Sequence, residues 1–96
     1  MSAVVPLEQK ELPPTCYVFK HSTTCPVSAR AAVEVEKSPT QIPVYRVLVR
    51  EQRELSKWIA DFYAVDHESP QLILIRDGKA RKVWNHWEIR REDMTE

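Results

Sequence analysis

Apolar and polar positions alternate between two periods along this chain, and the changes of period mark its elements. Cys16-Tyr17-Val18-Phe19-Lys20 is an aromatic and β-branched run, bounded by Pro14 before it and by His21-Ser22-Thr23-Thr24 after it. Such a run is the pattern of a buried strand. Cys25 and Pro26 follow, then an alanine-rich stretch to residue 37. Proline is well placed at a first helical position, where its missing N–H would have had no partner, so a helix is expected over residues 26–37, stopped by Ser38-Pro39. Pro43 introduces a second strand over residues 44–49. Between residues 51 and 63, Leu55, Trp58, Ile59 and Phe62 recur three and four apart while Arg53, Glu54, Lys57 and Asp61 largely face away, the stripe of an amphipathic helix. Leu72-Ile73-Leu74-Ile75 and Ala80-Arg81-Lys82-Val83-Trp84 flank Asp77-Gly78, a strong hairpin signal. Asn85-His86-Trp87-Glu88 reads as a capped helix start, with Asn as cap and Glu reaching back from three residues on.

Strand, helix, strand, helix, hairpin and terminal helix define an α/β fold. The first two strands, joined through a helix, are expected to be parallel, and the hairpin strands antiparallel. The result is a thioredoxin-like mixed four-stranded sheet, βαβ then ββα, flanked by helices. Residues 16–91 would form this domain and residues 92–96 a charged tail. Residues 1–15, with Pro6, Pro13 and Pro14, read as a loosely held lead-in with room for a helical turn over residues 7–12.

Composition narrows the function. Fourteen basic residues balance fourteen acidic ones, so no net field draws in nucleic acid or an anionic membrane, and neither is expected as a partner. No basic stretch followed by an apolar run opens the chain and no segment is long enough to span a bilayer, so a cytoplasmic protein is expected. Thiols are kept reduced there. Two cysteines are too few for a disulfide scaffold or a four-ligand zinc site.

The chemistry therefore centres on Cys25. It closes a polar loop after a strand and stands directly before the helix opened by Pro26. At that N-cap the sulfur would face the unpaired amides of Val27 and Ser28, and the helix dipole would favour the thiolate, the species that attacks disulfides. Lys20 and His21 would add positive potential by leaning toward the loop. The bland alternative, a small buried cysteine, suits the sequence less well. Ser28 occupies the place of a second redox cysteine, three residues on, so the route would use one thiol and pass through a mixed disulfide. Cys16 starts the strand whose other end leads to Cys25, roughly 15 Å away at about 3.3 Å per residue. A disulfide needs α-carbons within about 7 Å, so Cys16 reads as a core thiol. A proline directly before a core strand, Pro70 after Ser69, asks for a reason, and in thioredoxin-like folds it is cis and lies against the nucleophile. The backbone before it would pair with an extended substrate segment. Two weaker signals remain. His21 and Cys25 fall short of the three or four ligands a metal site needs. Trp84 and Trp87, with His86, read as packing more readily than as a base-stacking platform. The amides opening the turn at Asn85-His86-Trp87 would suit a carboxylate of a small thiol.

Phe19-Lys20-His21-Ser22-Thr23-Thr24-Cys25-Pro26-Val27-Ser28 resembles the signature of the YtxJ-like monothiol bacilliredoxins. His67-Glu68-Ser69-Pro70-Gln71 and Asn85-His86-Trp87-Glu88-Ile89 are similar to that family's later motifs, in compatible register. The resemblance implies removal of bacillithiol from proteins modified with it. Cys25 would take the bacillithiol onto its own sulfur within the motif of Thr24, Pro26, Val27 and Ser28. Ser69 and Pro70 would frame the substrate, with Asn85, His86 and Trp87 beside it. No bound cofactor or metal is implied; bacillithiol or another low-molecular-weight thiol is a co-substrate, and bacillithiolated proteins are the clients. Two other classes compete on the sequence alone: a non-catalytic thioredoxin-like module that binds a stress partner, and an iron–sulfur carrier bridged through one cysteine per subunit.

Overall fold

A central strand covered on both faces is mostly apolar, and the run Cys16–Phe19 after Pro14 has that character. In a computed structural model of the chain, which describes residues 4–95, this run becomes the middle of the sheet. The elements are β1 (Val4–Pro6), β2 (Cys16–His21), α1 (Pro26–Glu36), β3 (Val44–Leu48), α2 (Arg53–Tyr63), β4 (Gln71–Arg76) and β5 (Lys79–Asn85), followed by two 3-10 turns, His86–Glu88 and Arg91–Asp93. The sheet order is β1-β3-β2-β4-β5. β3 pairs parallel with both β1 and β2, while β4 pairs antiparallel with β2 and β5.

Alternation along β2 divides the interior in two. Tyr17 and Phe19 join Ala31, Val35, Leu72 and Trp84 on the α1 side. Cys16 and Val18 join Val47, Ile59, Ile73 and Ile75 on the α2 side. The hairpin turn has Asp77 at φ 57° and Gly78 at φ 73°, the two positive angles of a type I′ turn.

Three expectations are corrected. First, the sheet has five strands rather than four, because the lead-in supplies one. Val4 to Pro6 pair with Val44 to Arg46, and the Leu7 amide donates to the Arg46 carbonyl at 2.9 Å. Three residues are too few to show a period, and a proline is tolerated on an edge strand. Residues 7–12 form no helical turn. Second, the terminal helix is a single 3-10 turn. The capping box is present, with the Asn85 amide donating to Glu88 Oε1 at 2.8 Å, but His86 has φ 54° and cannot propagate a right-handed helix. Third, the tail is partly folded: Arg91–Asp93 is a 3-10 turn and Met94 is fully buried. The expectations for residues 1–3 and 96 lie outside the described residues. Phe62 also departs from the buried stripe of α2; it is 64% exposed and stacks on Trp58 at 5.3 Å, while Tyr63 turns inward. Among the described residues no helix is long and apolar enough to cross a membrane.

Candidate functional site

The loop after β2 delivers Cys25 to the start of α1. Cys25 is the N-cap, with extended backbone (φ −106°, ψ 122°), and its carbonyl accepts the first helical bond from the Ala29 amide at 3.0 Å. Pro26 opens the helix as read, and Val27 is half-buried. Cys25 itself is partly exposed and free. Its sulfur makes no side-chain capping hydrogen bond to the first helical turn.

Ser28 is fully buried. Its Oγ lies 2.6 Å from His21 Nδ1 and accepts the Ser22 amide at 2.9 Å. These bonds tie the strand end, the loop and the first helical turn together. His21 stacks on Phe19 at 5.3 Å. Burial, with help from the Arg46 guanidinium, pushes the imidazole below its ordinary range, against the opposing pull of Glu36 and Glu51. A neutral ring follows at pH 7.

Lys20 also does something other than lean toward the loop. It is fully buried on the α2 side, where Nζ donates to His67 Nδ1 at 3.1 Å, and Ser56 Oγ stands 3.2 Å from the same nitrogen. Burial lowers the ammonium to about 8. The basic side chain that does reach the loop is Arg50, whose Nη1 donates to Thr24 Oγ1 at 3.0 Å, next to Cys25. Sequence reading missed it, because the contact joins residues from separate loops and has no local signature. Thr24 is exposed and also lies 3.4 Å from Ser22 Oγ.

The Ser69–Pro70 peptide is cis. Pro70 is buried, and its carbonyl accepts the His86 amide at 2.9 Å. Glu68 Oε1 meets His86 Nε2 at 3.1 Å, so the loop before β4 and the turn after β5 are joined twice. Ser69 Oγ is buried with no hydrogen-bond partner. Asn85 is committed to structure: its side chain takes the Glu88 amide and receives Gln71 Nε2 at 3.0 Å. The amides of Asn85, His86 and Glu88 are all bonded within the protein. Trp87 in this turn is 64% exposed, with the Arg30 guanidinium 5.2 Å above its ring and bonded to the Ile89 carbonyl at 3.1 Å. Trp84 instead packs in the core, 6.3 Å from Tyr17, so the two tryptophans share no surface platform.

Cys16 is fully enclosed at the far end of β2. Its Sγ lies 3.7 Å from the Pro13 carbonyl, and burial pushes the thiol up to about 12. A thiol held protonated inside the core does not attack disulfides.

A solved structure described as a candidate oxidoreductase with a thioredoxin fold is similar to this chain at 28% identity and a TM-score of 0.80, over 94% of this chain and 88% of that one. The thioredoxin of Fasciola hepatica shares the fold at 23% identity and a TM-score of 0.57, over 74% of this chain and 66% of its own. The sequence pattern of the family described as monothiol bacilliredoxin BrxC matches residues 3–94. A thioredoxin fold, one accessible thiol at a helix start and this match together assign a redox role, and the chain belongs to the monothiol bacilliredoxin family.

Proposed function

We propose that the protein is a cytoplasmic thiol–disulfide oxidoreductase that removes bacillithiol, or a similar low-molecular-weight thiol, from mixed disulfides on client proteins. One observation carries the reading: of two thiols, one is partly exposed at the start of α1 with a hydroxyl where a resolving thiol would stand, and the other is sealed in the core. The Cys25 thiolate attacks the small-thiol sulfur of the client's mixed disulfide. The old S–S bond breaks, a new one joins Cys25 to the small thiol, and the client cysteine leaves as thiolate and takes a proton from water. A second small thiol, as thiolate, then attacks the Cys25 adduct, which frees Cys25 and carries both small thiols away as a disulfide. No resident cofactor enters. The backbone at Ser69 and Pro70 would receive the client strand. Trp87 and Arg30 would flank the small thiol, and Arg50 with Thr24 would border the attacking sulfur.

Intact-mass spectrometry of the reduced protein after incubation with bacillithiol disulfide tests this. The expected result is a single adduct on Cys25, absent in Cys25→Ser and discharged by excess bacillithiol. No adduct, or equal labelling of Cys16, would overturn the reading and leave a thioredoxin-like partner-binding module.

A further inference from the structure

The bonds around Ser28 have a directional consequence. A serine hydroxyl has one proton to give and two lone pairs to receive. Ser28 Oγ already receives the Ser22 amide, and it stands 2.6 Å from His21 Nδ1. While His21 is neutral with its proton on Nε2, Nδ1 is an acceptor and the Ser28 proton is spent on it. A protonated imidazole donates from Nδ1 instead. Ser28 Oγ then receives two donors, and its own proton is released toward other acceptors. Cys25 is the N-cap residue three positions before Ser28, and its sulfur makes no side-chain capping hydrogen bond.

We propose that His21 is a positioning residue for Cys25 that acts through Ser28: the neutral ring holds the Ser28 hydroxyl away from the sulfur, and protonation of the ring turns that hydroxyl toward it. The serine in the second redox position is then a proton-sensitive hydrogen-bond donor rather than a vacant place for a thiol. The groups packed around His21 allow such a response. Arg46 on β3 opposes protonation, while Glu36 on α1 and Glu51 in the loop before α2 favour it, and Phe19 holds the ring in place. The inference rests on Cys25 being the nucleophile, as in the function proposed above.

Acidification would otherwise quench a thiolate nucleophile by about tenfold per pH unit. A hydroxyl recruited to the sulfur in acid opposes that loss, since hydrogen bonds to charged groups are the strong ones. The decisive measurement is the second-order rate of Cys25 alkylation by iodoacetamide between pH 4 and 9, read by mass spectrometry. It needs no bacillithiol, so it is separable from failure of the substrate assignment. The native protein is expected to show a shoulder below pH 6.5, with rates about five- to tenfold above a single-ionisation curve. His21→Asn keeps an acceptor near the Nδ1 position but cannot be protonated, so its curve should lose the shoulder while matching the native rate near pH 8. Ser28→Ala should lose the shoulder too. His21→Phe, which keeps the stack on Phe19, separates ring packing from the proton effect: it should also follow a single-ionisation curve. A native curve with no shoulder, or a shoulder that survives in His21→Asn, would overturn the proposal.

Discussion

Cys16 and Lys20 lie four residues apart on one face of β2, both fully buried, and they pull stability in opposite directions as pH rises. Lys20 falls from 10.5 to about 8 on burial. Between those values the unfolded chain holds a proton that the native protein has released, so stability rises with pH. Cys16 is raised from 9.0 to about 12, so from 9.0 upward the native protein keeps a proton that the unfolded chain has lost, and stability falls. Each slope reaches at most about 1.4 kcal/mol per pH unit. The two windows overlap from 9.0 to 10.5, and there the native protein should be nearly insensitive to pH. Urea denaturation under reducing conditions resolves the pair: Lys20→Met should lose stability steadily above pH 9, and Cys16→Ala should gain it between pH 8 and 10. Superimposable curves for the three proteins would show that neither residue titrates as its burial implies.

Wherever a local pattern decides an element, the sequence was readable. β2 is announced by its unbroken apolar run, α1 by the proline at its first position, and the β4–β5 hairpin by Asp77-Gly78. The placement of Cys25 at a helix start followed from the same local rules. Elements decided by distant partners were not legible. β1 exists because β3 offers a free edge, and the last residues fold because α1 gives them something to bind. In the site, the His21–Ser28 bond and the Arg50–Thr24 bond join residues 7 and 26 apart, beyond any periodicity. The α1 contacts show how such long-range ties work. Arg30 and Glu34, one turn apart, grip the C-terminal segment: Arg30 through the Ile89 carbonyl, Glu34 through two charge-assisted bonds to the Arg91 guanidinium and one to its amide. The Arg91 bonds hold the Glu34 carboxyl down at about 2. Its stabilising effect is therefore present above the ordinary 4.5 and is lost as pH falls from there toward 2. The protection factors of the amides of residues 91–94, taken relative to their intrinsic exchange rates, should fall over that interval. Glu34→Gln should show the faster exchange already at pH 6, by about fivefold, with β2 amides unchanged. Equal protection in the two proteins would mean that burial of Met94 alone anchors the segment.

Parallel pairing of β2 with β3, and antiparallel pairing of β4 with β2, bring four connections to one end of the sheet: the loops after β2, after β3 and before β4, and the turn after β5. These connections carry Thr24, Arg50, Ser69 and Trp87 to that same end of the sheet. The edges of the sheet serve a different need. β3 is an inner strand only because β1 covers it, and an uncovered parallel edge of this kind is a template for another chain. Gln52 secures the cover, donating from Nε2 to the Leu7 carbonyl at 2.7 Å and accepting the Leu48 amide at 2.9 Å, so the edge strand, β3 and the start of α2 are linked through one side chain. Leu7, 3% exposed, closes the core beneath it. Removing residues 1–8 should thus do two things at once. Loss of the Leu7 side chain should cost about 2–4 kcal/mol in urea unfolding, and the bared β3 edge should drive concentration-dependent self-association in sedimentation velocity. Gln52→Ala in the full chain should give a smaller loss of stability with the edge still covered, and therefore no association. A truncated chain that stays monomeric would show that β1 contributes packing alone and that the guard against strand addition lies elsewhere.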